Sequence, residues 1–388
     1  MTGTHLEGQH VWVMAKGYAP DEGGMQSYAQ GVAEAYAGAG ASVTVFGQSA
    51  AGPRRERVGP VFLIDVGPGK SARVPLQLLQ AMRRQLRAAG KPLFVHGTTW
   101  RTSLLPLMLG LPYITTFHGR EFMRGGWLAR RVMLRIAAQA ETIVAVSRYS
   151  ASRLRERLGP ACPQPLVLWN GTSVINSHGS EPAPSNLEVP VTILSLCRLE
   201  KRKNIAACVR ACAELKQEGL AFRYLIGGRG PEYKLVRSLA AEHKLHDSVE
   251  VLGRVDSEHL TQMYQEADIF LHPQIAVDDD KDFEGFGITI ADAMVHKAAV
   301  IAGKAGGPAD IIEHGVTGLL VDGEDHDSVT AALRLMLTDT AGRERMAENA
   351  WRHATTHFRW DGHVAGILAA ITPKLTRHRP AEDLPSSA

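Results

Sequence analysis

Short apolar runs recur along the chain, and each is followed by a stretch whose apolar residues return every three or four positions. In the first half the runs are "HVWVMA" (residues 10–15), "ASVTVFG", "VFLIDVG", "KPLFVHG", "PYITTFHG", "TIVAVS" and "PLVLW"; in the second they are "VTILSLC", "FRYLIGG", "SVEVLG", "ADIFLHP" and "TGLLV". Continuous apolar character, rather than strict alternation, predicts strands buried on both faces. The helical period runs over residues 25–39, through "PLQLLQAMRRQLRAAG" and "WRTSLLPLMLG", and later through "NIAACVRACAELK" and "DHDSVTAALRLML". Strands alternating with helices at this spacing predict an α/β chain with parallel sheets wound on both faces, and ligands taken beyond the carboxyl ends of the strands. The arginine-bearing segment ahead of "VFLIDVG" is polar and reads as a loop.

A chain of 388 residues exceeds one ordinary domain and suits two. The segment "INSHGSEPAPSNLEVP" is rich in Ser, Pro, Gly and Asn and marks a boundary near residue 180. The expected division is a first domain at 1–178, a linker at 179–190, a second domain from 191 to 355, and a polar, disordered tail at 373–388. An apolar fraction of 45% with 21% charged residues is that of a soluble globular protein, and no run of 18 apolar residues is present. The start, "MTGTHLEGQH", has neither the basic nor the apolar region of a signal peptide, so the expected location is cytoplasmic. The four cysteines form no CxxC pair and no zinc spacing, and read as buried thiols. Residues 1–175 carry 20 Lys and Arg against 9 Asp and Glu, a net of +11, whereas the remainder is at −8. The first half therefore suits an anionic partner, such as a membrane surface or an acidic acceptor; no motif supports nucleic acid.

Most of the chemistry gathers in "DFEGFGITIADAMVHKAAVIAGKAGGPADIIEHGVTGLLVDGED" (282–325), where Asp292 follows Glu284 by eight residues. With helix from Ile288 onward, eight residues are just over two turns, which puts both carboxylates near one side of one site. Gly287 removes the side chain where the chain turns, and leaves the amides of Gly287 and Ile288 aimed at an anion at the helix start. The ligand implied has a phosphate between hydroxyl-bearing parts. A nucleotide-sugar fits, with sugar hydroxyls near Glu284 and ribose hydroxyls near Asp292. In "CRLEKRKN" Arg198 and Lys203 stand five apart between a strand and a helix start, where two cations can neutralise a diphosphate and stabilise it as it leaves; Lys201 and Arg202 add charge to the same loop.

Other candidates keep two readings. Gly23 and Gly24 precede the helix at 25–39, either as a close approach to a ligand or as a plain strand-to-helix turn. His96 and His118 lie at strand ends, placed for packing or for catalysis. "REFMRGGWLARRVMLRIAAQAE" interleaves arginines with Phe122, Trp127 and Leu128, and reads as an interfacial helix or as a core helix with a solvated arginine face. Ser147 suits a helix cap. "AVDDDKD" reads as a solvated acidic loop or an acidic rim for a cationic acceptor.

Taken together, the Glu284 stretch and the "AGGPADIIEHGVTGLLV" that follows it resemble the C-terminal half of the retaining GT-B glycosyltransferases of family 4 (glycosyl transferases group 1), whose signature is two acidic residues separated by seven. Asp292 replaces the more usual second glutamate, and Asp310 stands where the family usually has another. The family has an Arg and a Lys at the offset of Arg198 and Lys203, and Asn204 occupies a position where it commonly has glycine. The resemblance implies two Rossmann-like domains facing each other across a cleft, the donor held mainly by the second, and a helix at 356–372, announced by "HFRW", that crosses back onto the first. It implies that Gly23 and Gly24 line the donor diphosphate and the acceptor, that His118 faces the donor sugar, that Arg120 and Arg148 lie on the acceptor side, and that Arg254 and Val255 lie against the base.

The reaction implied is transfer of a sugar from a UDP- or GDP-linked donor to a hydroxyl of a glycan, glycolipid or small molecule, with retention and without a metal or other cofactor. Glu284, His118, Arg198 and Lys203 would carry it. No carboxylate stands out as a nucleophile, so front-face attack with the leaving phosphate as base asks least of this sequence. The alternatives are a nucleotide-sugar epimerase of similar fold and a catalytically silent nucleotide-sugar-binding protein.

Overall fold

A computed structural model of the chain describes residues 6–18, 23–69, 73–172 and 190–375. Among these, the residues up to Val146, Ala151–Gly171 and those from Trp360 onward form one compact unit, and Ser147–Ser150 with Thr172–Arg359 form another. The expected linker at 179–190 lies, but for its last residue, outside the described residues; so does the expected tail after Leu375. No helix among the described residues is long and apolar enough to cross a membrane.

Unit 1 holds strands β1 (His10–Met14), β2 (Ser42–Gly47), β3 (Arg54–Val58), β4 (Val61–Asp65), β5 (Phe94–Gly97), β6 (Tyr113–Phe117), β7 (Thr142–Ala145) and β8 (Leu166–Val167). They form one sheet in the order β3-β4-β2-β1-β5-β6-β7-β8, parallel throughout except for β3. β3 is the segment whose polar pattern reads as a loop. It runs antiparallel to β4 at the sheet edge, in register from Arg54 opposite Asp65 to Val58 opposite Val61, and its middle residues face water. An edge strand with its side chains in solvent carries charges rather than an apolar period.

The helices of this part of the chain are α1 (Gly24–Gly38), α2 (Arg73–Ala89), α3 (Leu104–Met108), α4 (Arg120–Met123), α5 (Trp127–Gln139) and α6 (Arg148–Leu158). The single basic helix expected over residues 120–141 is therefore two, parted at Gly125 and Gly126. α1 buries Tyr28, Val32 and Tyr36, four residues apart along one face. Gly31, on the same helix, is approached so closely by the Trp360 indole that a Cβ there would lie 2.1 Å from its Cε2. A glycine inside a helix costs about 1 kcal/mol relative to alanine, and here only hydrogen leaves room for the ring.

Unit 2 holds β9 (Val191–Leu196), β10 (Phe222–Gly227), β11 (Val249–Gly253), β12 (Ile269–His272), β13 (Ala299–Gly303) and β14 (Leu319–Val321) in the order β11-β10-β9-β12-β13-β14, all parallel. Its helices are α7 (Ile205–Gln217), α8 (Tyr233–Glu242), α9 (Ser257–Gln265), α10 (Ile288–Val295), α11 (Pro308–Ile311), α12 (His326–Thr338) and α13 (Thr340–His357). Its core includes the α7 face of Ile205, Cys208, Val209, Cys212 and Leu215, which accounts for two of the four thiols as buried apolar residues. This is the doubly wound Rossmann order, with its topological switch point between β9 and β12. Those two strands pair only through Ile193 with Ile269 and Leu194 with Phe270, two residues short of their carboxyl ends, so they part where a ligand would enter.

The last helix, α14 (Trp360–Leu375), returns the chain to unit 1. It buries Val364, Ile367, Leu368 and Ile371, one face at helical spacing. It starts later than the expected residue 356 because α13 continues through His357.

Candidate functional site

The loop after β9 is built to hold two cations in place. A turn of 3₁₀ helix over Lys201–Lys203 meets α7 at Asn204, which adopts the left-handed conformation (φ 59°). Asparagine tolerates that conformation and adds what glycine lacks: its Nδ2 donates to the carbonyls of Pro273 (3.1 Å) and Gly323 (2.7 Å). The Ile275 amide donates to the Arg202 carbonyl at 2.9 Å, so the loops following β9 and β12 are laced together.

Across that lacing Glu284 accepts from Lys203 Nζ and, at 2.8 Å, from Arg202 Nη1. Lys203 Nζ also lies 3.3 Å from Nε2 of His272, the last residue of β12. An ammonium only donates, so Nε2 accepts and the neutral imidazole carries its proton on Nδ1. The 3.8 Å from His272 Nε2 to Glu284 is too long for a hydrogen bond. Arg202 Nε lies 3.4 Å from Asp282 and 3.7 Å from Glu200, and Glu200 in turn pairs with Arg198 at 3.1 Å. Three cations and three carboxylates thus form one network at the switch point of unit 2.

Burial by itself would raise the pKa of Glu284, but the charges of Lys203 and Arg202, with His272 beside them, hold it well below the ordinary carboxylate value. Burial and the Lys203 charge push His272 down to about 4, against the pull of Glu284. At neutral pH the cluster is therefore an ionised carboxylate, two cations and a neutral imidazole.

The expected anion site is the start of α10. Gly287 caps the helix in the left-handed region (φ 96°, ψ 59°), and its carbonyl accepts from the amides of Ile290 (2.9 Å) and Ala291 (3.1 Å), so that Ile288 and Thr289 lead the helix. Asp292 sits in the second turn with its side chain buried. Arg198, with a side chain 71% exposed, stands at the outer end of the network rather than on Glu284. Arg254 and Val255 follow β11, Arg254 exposed and Val255 packed near Gly227 at the end of β10. Ser147, the expected cap, accepts from the Ser150 amide (3.0 Å) and donates to the Gly285 carbonyl (2.7 Å), next to Glu284. The backbone amide of Arg148 donates to the carboxylate of Asp310, whose pKa burial raises despite that bond. The Arg148 side chain is exposed.

One reading is corrected. Asp282 does not belong to a solvated acidic loop: it is buried, its backbone bridges to Val277, and its carboxylate faces Arg202. Asp278, Asp279 and Asp280 are exposed, as that reading has them.

The remaining candidates lie in unit 1. Gly23 caps α1 and Gly24 is its first residue; residues 19–22 of the same loop lie outside the described residues. His118 follows β6 and donates from Nε2 to the Thr98 carbonyl (2.8 Å), while its amide and that of Gly119 are held by the Glu121 carboxylate at 2.7 and 2.8 Å. Arg120, the first residue of α4, is exposed. His96 is fully buried among Tyr28, Tyr36 and Thr116 and is no surface ligand. A cavity of about 500 Å³ beside β3, β4 and α2, lined by Arg54, Arg55 and Arg84 among others, contains none of these residues.

His272 is the site residue that the motifs do not mark, while Arg202 reads only as added charge in the Lys203 loop and Asp282 as part of an acidic loop. His272 carries the signal that marks His96 and His118, a histidine at a strand end, and Arg202 is the neighbour of Lys203; neither reveals the contact with Glu284.

The family described as glycosyl transferases group 1 matches residues 181–353, and glycosyltransferase family 4 matches residues 22–172. The chain is 31% identical over 228 residues to the amylovoran biosynthesis glycosyltransferase AmsK of Erwinia amylovora, a match covering 57% of this chain and 54% of that protein. It is 28% identical over 292 residues to the GDP-mannose-dependent alpha-(1-6)-phosphatidylinositol monomannoside mannosyltransferase of Mycobacterium tuberculosis, covering 70% and 74% respectively. The chain thus spans about half the length of the first and three-quarters of the second. In fold it is similar to sucrose-phosphate synthase from Thermosynechococcus elongatus (TM-score 0.76, 19% identity, 96% of this chain and 100% of that one) and to Anabaena HepE solved with UDP and glucose (TM-score 0.71, 18% identity, 94% and 99%).

Proposed function

The chain belongs to the GT-B glycosyltransferases of family 4, and from that premise we propose that it moves a sugar from a UDP- or GDP-linked donor to a hydroxyl of a glycan, glycolipid or small-molecule acceptor, with retention at the anomeric carbon. The observation that carries this reading is the joint hold of Lys203 and Arg202 on Glu284 at the switch point between β9 and β12.

Without a donor, these cations and this carboxylate neutralise one another. An entering nucleotide-sugar exchanges the partners: the diphosphate takes the cations and the α10 amides, and Glu284 turns its acceptor oxygens to a sugar hydroxyl. Arg198 adds a third positive charge as the diphosphate leaves, so the developing charge is met by groups already in place, and metal is not required. Glu284, released by the cations and accepting from a sugar hydroxyl, orients the donor sugar in this reading rather than attacking it. Attack from the leaving-group face, with the departing phosphate taking the acceptor proton, gives retention. His118 is assigned to the donor sugar, Asp292 to the ribose, Arg254 and Val255 to the base, Gly23 and Gly24 to the diphosphate and acceptor, and Arg120 and Arg148 to the acceptor side. The names of the relatives support the donor class, one being GDP-mannose-dependent and another solved with UDP and glucose.

The test is a thermal-shift panel of nucleotides and nucleotide-sugars on the native protein, Glu284→Ala and Lys203→Ala, followed by transfer assays with and without EDTA. A donor that stabilises the native protein and not the variants supports the site, and an α-linked product from an α-linked donor supports retention. No stabilisation by any nucleotide-sugar, or variants that respond like the native protein, overturns it. An epimerised donor without acceptor identifies the epimerase alternative, and binding without turnover identifies the silent one.

A specific observation favours an acceptor at an anionic membrane surface. Trp127 (75% exposed) and Leu128 (61%) open α5 and Met108 (67%) ends the neighbouring α3, and Arg101, Arg120, Arg124 and Arg131, which precede or belong to α3, α4 and α5, are exposed as well. Exposed apolar side chains in a segment rich in exposed guanidinium groups suit the headgroup region of anionic lipid. Sedimentation with phosphatidylglycerol vesicles, lost with phosphatidylcholine, supports this reading; equal sedimentation of Trp127→Ser/Leu128→Ser overturns it.

A further inference from the structure

Unit 1 buries a series of polar groups that the reaction above leaves unused. Tyr28 and Tyr36 of α1, His96 of β5, Thr116 of β6 and His363 of α14 are each at most 3% exposed. Their shortest contacts run from Tyr36 Oη to His96 Nδ1 (3.1 Å), His96 Nε2 to Thr116 Oγ1 (2.9 Å), Thr116 Oγ1 to Tyr28 Oη (2.8 Å), Tyr28 Oη to His363 Nε2 (2.9 Å), and His363 Nδ1 to the Trp169 carbonyl (2.9 Å), with His96 Nε2 also 3.4 Å from Tyr28 Oη, where its proton can be shared.

The carbonyl at one end fixes the direction of the whole series. A carbonyl only accepts, so His363 carries its proton on Nδ1 and its Nε2 accepts from the Tyr28 hydroxyl. Tyr28 Oη then accepts from the Thr116 hydroxyl, Thr116 Oγ1 accepts from His96 Nε2–H, and His96 Nδ1 accepts from the Tyr36 hydroxyl. Reversing the links beyond Tyr28 leaves Tyr28 and Thr116 facing each other without a proton between them and the Tyr36 proton without an acceptor. Both tautomers are thus assigned from the network. Both rings are neutral in this arrangement, which agrees with burial lowering both pKa values, that of His363 to about 4. The titratable groups bearing on the two rings are Tyr28, Tyr36, His118 and each other.

Tyr28 is therefore held at its hydroxyl from both sides, and its ring meets His118 edge to face, centroids 4.7 Å apart at 88°. His118 is otherwise tied through Nε2 to the Thr98 carbonyl. We infer that Tyr28 and His363 are positioning residues for His118: the C-terminal helix, through the Tyr28 hydroxyl, sets where that imidazole lies. This assignment rests on the proposed role of His118 at the donor sugar. Misplacement of a reacting group by about 1 Å costs on the order of 100-fold in rate, so a remote hydrogen bond of this kind moves kcat.

The experiment compares Tyr28→Phe, which removes one oxygen and keeps the ring, with His363→Gln, His363→Ala, His118→Ala and the Tyr28→Phe/His118→Ala double variant. The readouts are kcat and KM with UDP-glucose or GDP-mannose, whichever is turned over, the Kd for UDP and GDP, and the imidazole ¹⁵N–¹H NMR signals of His118. Tyr28→Phe and His363→Ala are expected to lower kcat at least 10-fold with nucleotide Kd unchanged within twofold, and His363→Gln to recover part of the loss. The double variant is expected to be no slower than His118→Ala, and the His118 ring signals to shift in Tyr28→Phe. Unmoved His118 signals, or losses that multiply in the double variant, overturn the positioning role while His118 keeps its own. A His118→Ala variant with native kcat removes the assignment to the donor sugar, and this inference with it.

Discussion

Arg202 Nη1 lies 2.8 Å from Oε2 of Glu284, 82 residues further along the chain, and Lys203 closes on the same oxygen. Consecutive side chains reach one carboxylate because the 3₁₀ turn over Lys201–Lys203 sends both toward the loop after β12. This contact fixes the charge state of Glu284, and the second contact of Lys203, to His272 Nε2, fixes the tautomer of that ring.

Removing the carboxylate leaves two cations short of a partner. Breaking a buried pair costs about 3–5 kcal/mol, and the remaining contacts of Arg202 with Asp282 and Glu200 place Glu284→Gln near the lower end, about 3 kcal/mol. Lys203→Met keeps the Arg202 bond and costs less, about 1 kcal/mol. Both lower transfer about 100-fold or more, which denaturant unfolding and initial rates will measure separately.

Gly287→Ala places a Cβ on a residue at φ 96°, 3.0 Å from Ile290 Cδ1 and 3.4 Å from the Pro308 ring. The left-handed conformation costs a non-glycine residue about 1–2 kcal/mol. The expected outcome is a loss of that size in unfolding free energy and a weaker nucleotide Kd by calorimetry, because the first-turn amides of α10 shift with the cap.

Acid destabilises this protein through its buried histidines before it reaches Glu284. His272 and His363 have folded pKa values of about 4, and that of His96 is well below the ordinary value, against about 6.5 in the unfolded chain. Each binds its proton more readily when unfolded, so stability is full above about pH 6.5 and falls as the pH drops toward the folded values, by about 1.4 kcal/mol per pH unit for each group. The Glu284 contribution, from a lowered carboxylate pKa, is full above the unfolded value of about 4.5 and is lost only below it. Urea unfolding at pH 7 and pH 5 is expected to show the histidine loss, reduced by one group's share in His363→Gln.

Trp127 stands 75% exposed at the start of α5, so its side chain contributes little to the fold. Trp127→Ser is expected to stay within about 0.5 kcal/mol of the native unfolding free energy. The same variant is expected to sediment less with anionic vesicles if the proposed membrane contact holds, a combination that separates a docking side chain from a core one.

How far these features were legible depends on the range of the interaction behind them. The buried strands of both sheets, the helices between them and the Gly287 cap show in local composition, because a strand covered on both faces must be apolar along its length and a left-handed cap favours glycine. β3 shows no such signal, since an edge strand open to water needs no apolar residue on that face. The basic stretch at 120–141 looked like one helix because periodicity is blind to the break at Gly125 and Gly126.

By itself the sequence determined the alternation of elements, the two acids and the cationic loop of the second unit, and the charge divide between the halves, all set by which residues stand next to one another. Only the tertiary structure decided that Arg202 rather than Arg198 lies on Glu284, that Asp282 is buried in an ion pair, and that Tyr28 meets His363 from 335 residues away. Those outcomes hang on side-chain direction and on hydrogen bonds between distant segments. Both are fixed when the sheets close their cores, and no spacing along the chain encodes them.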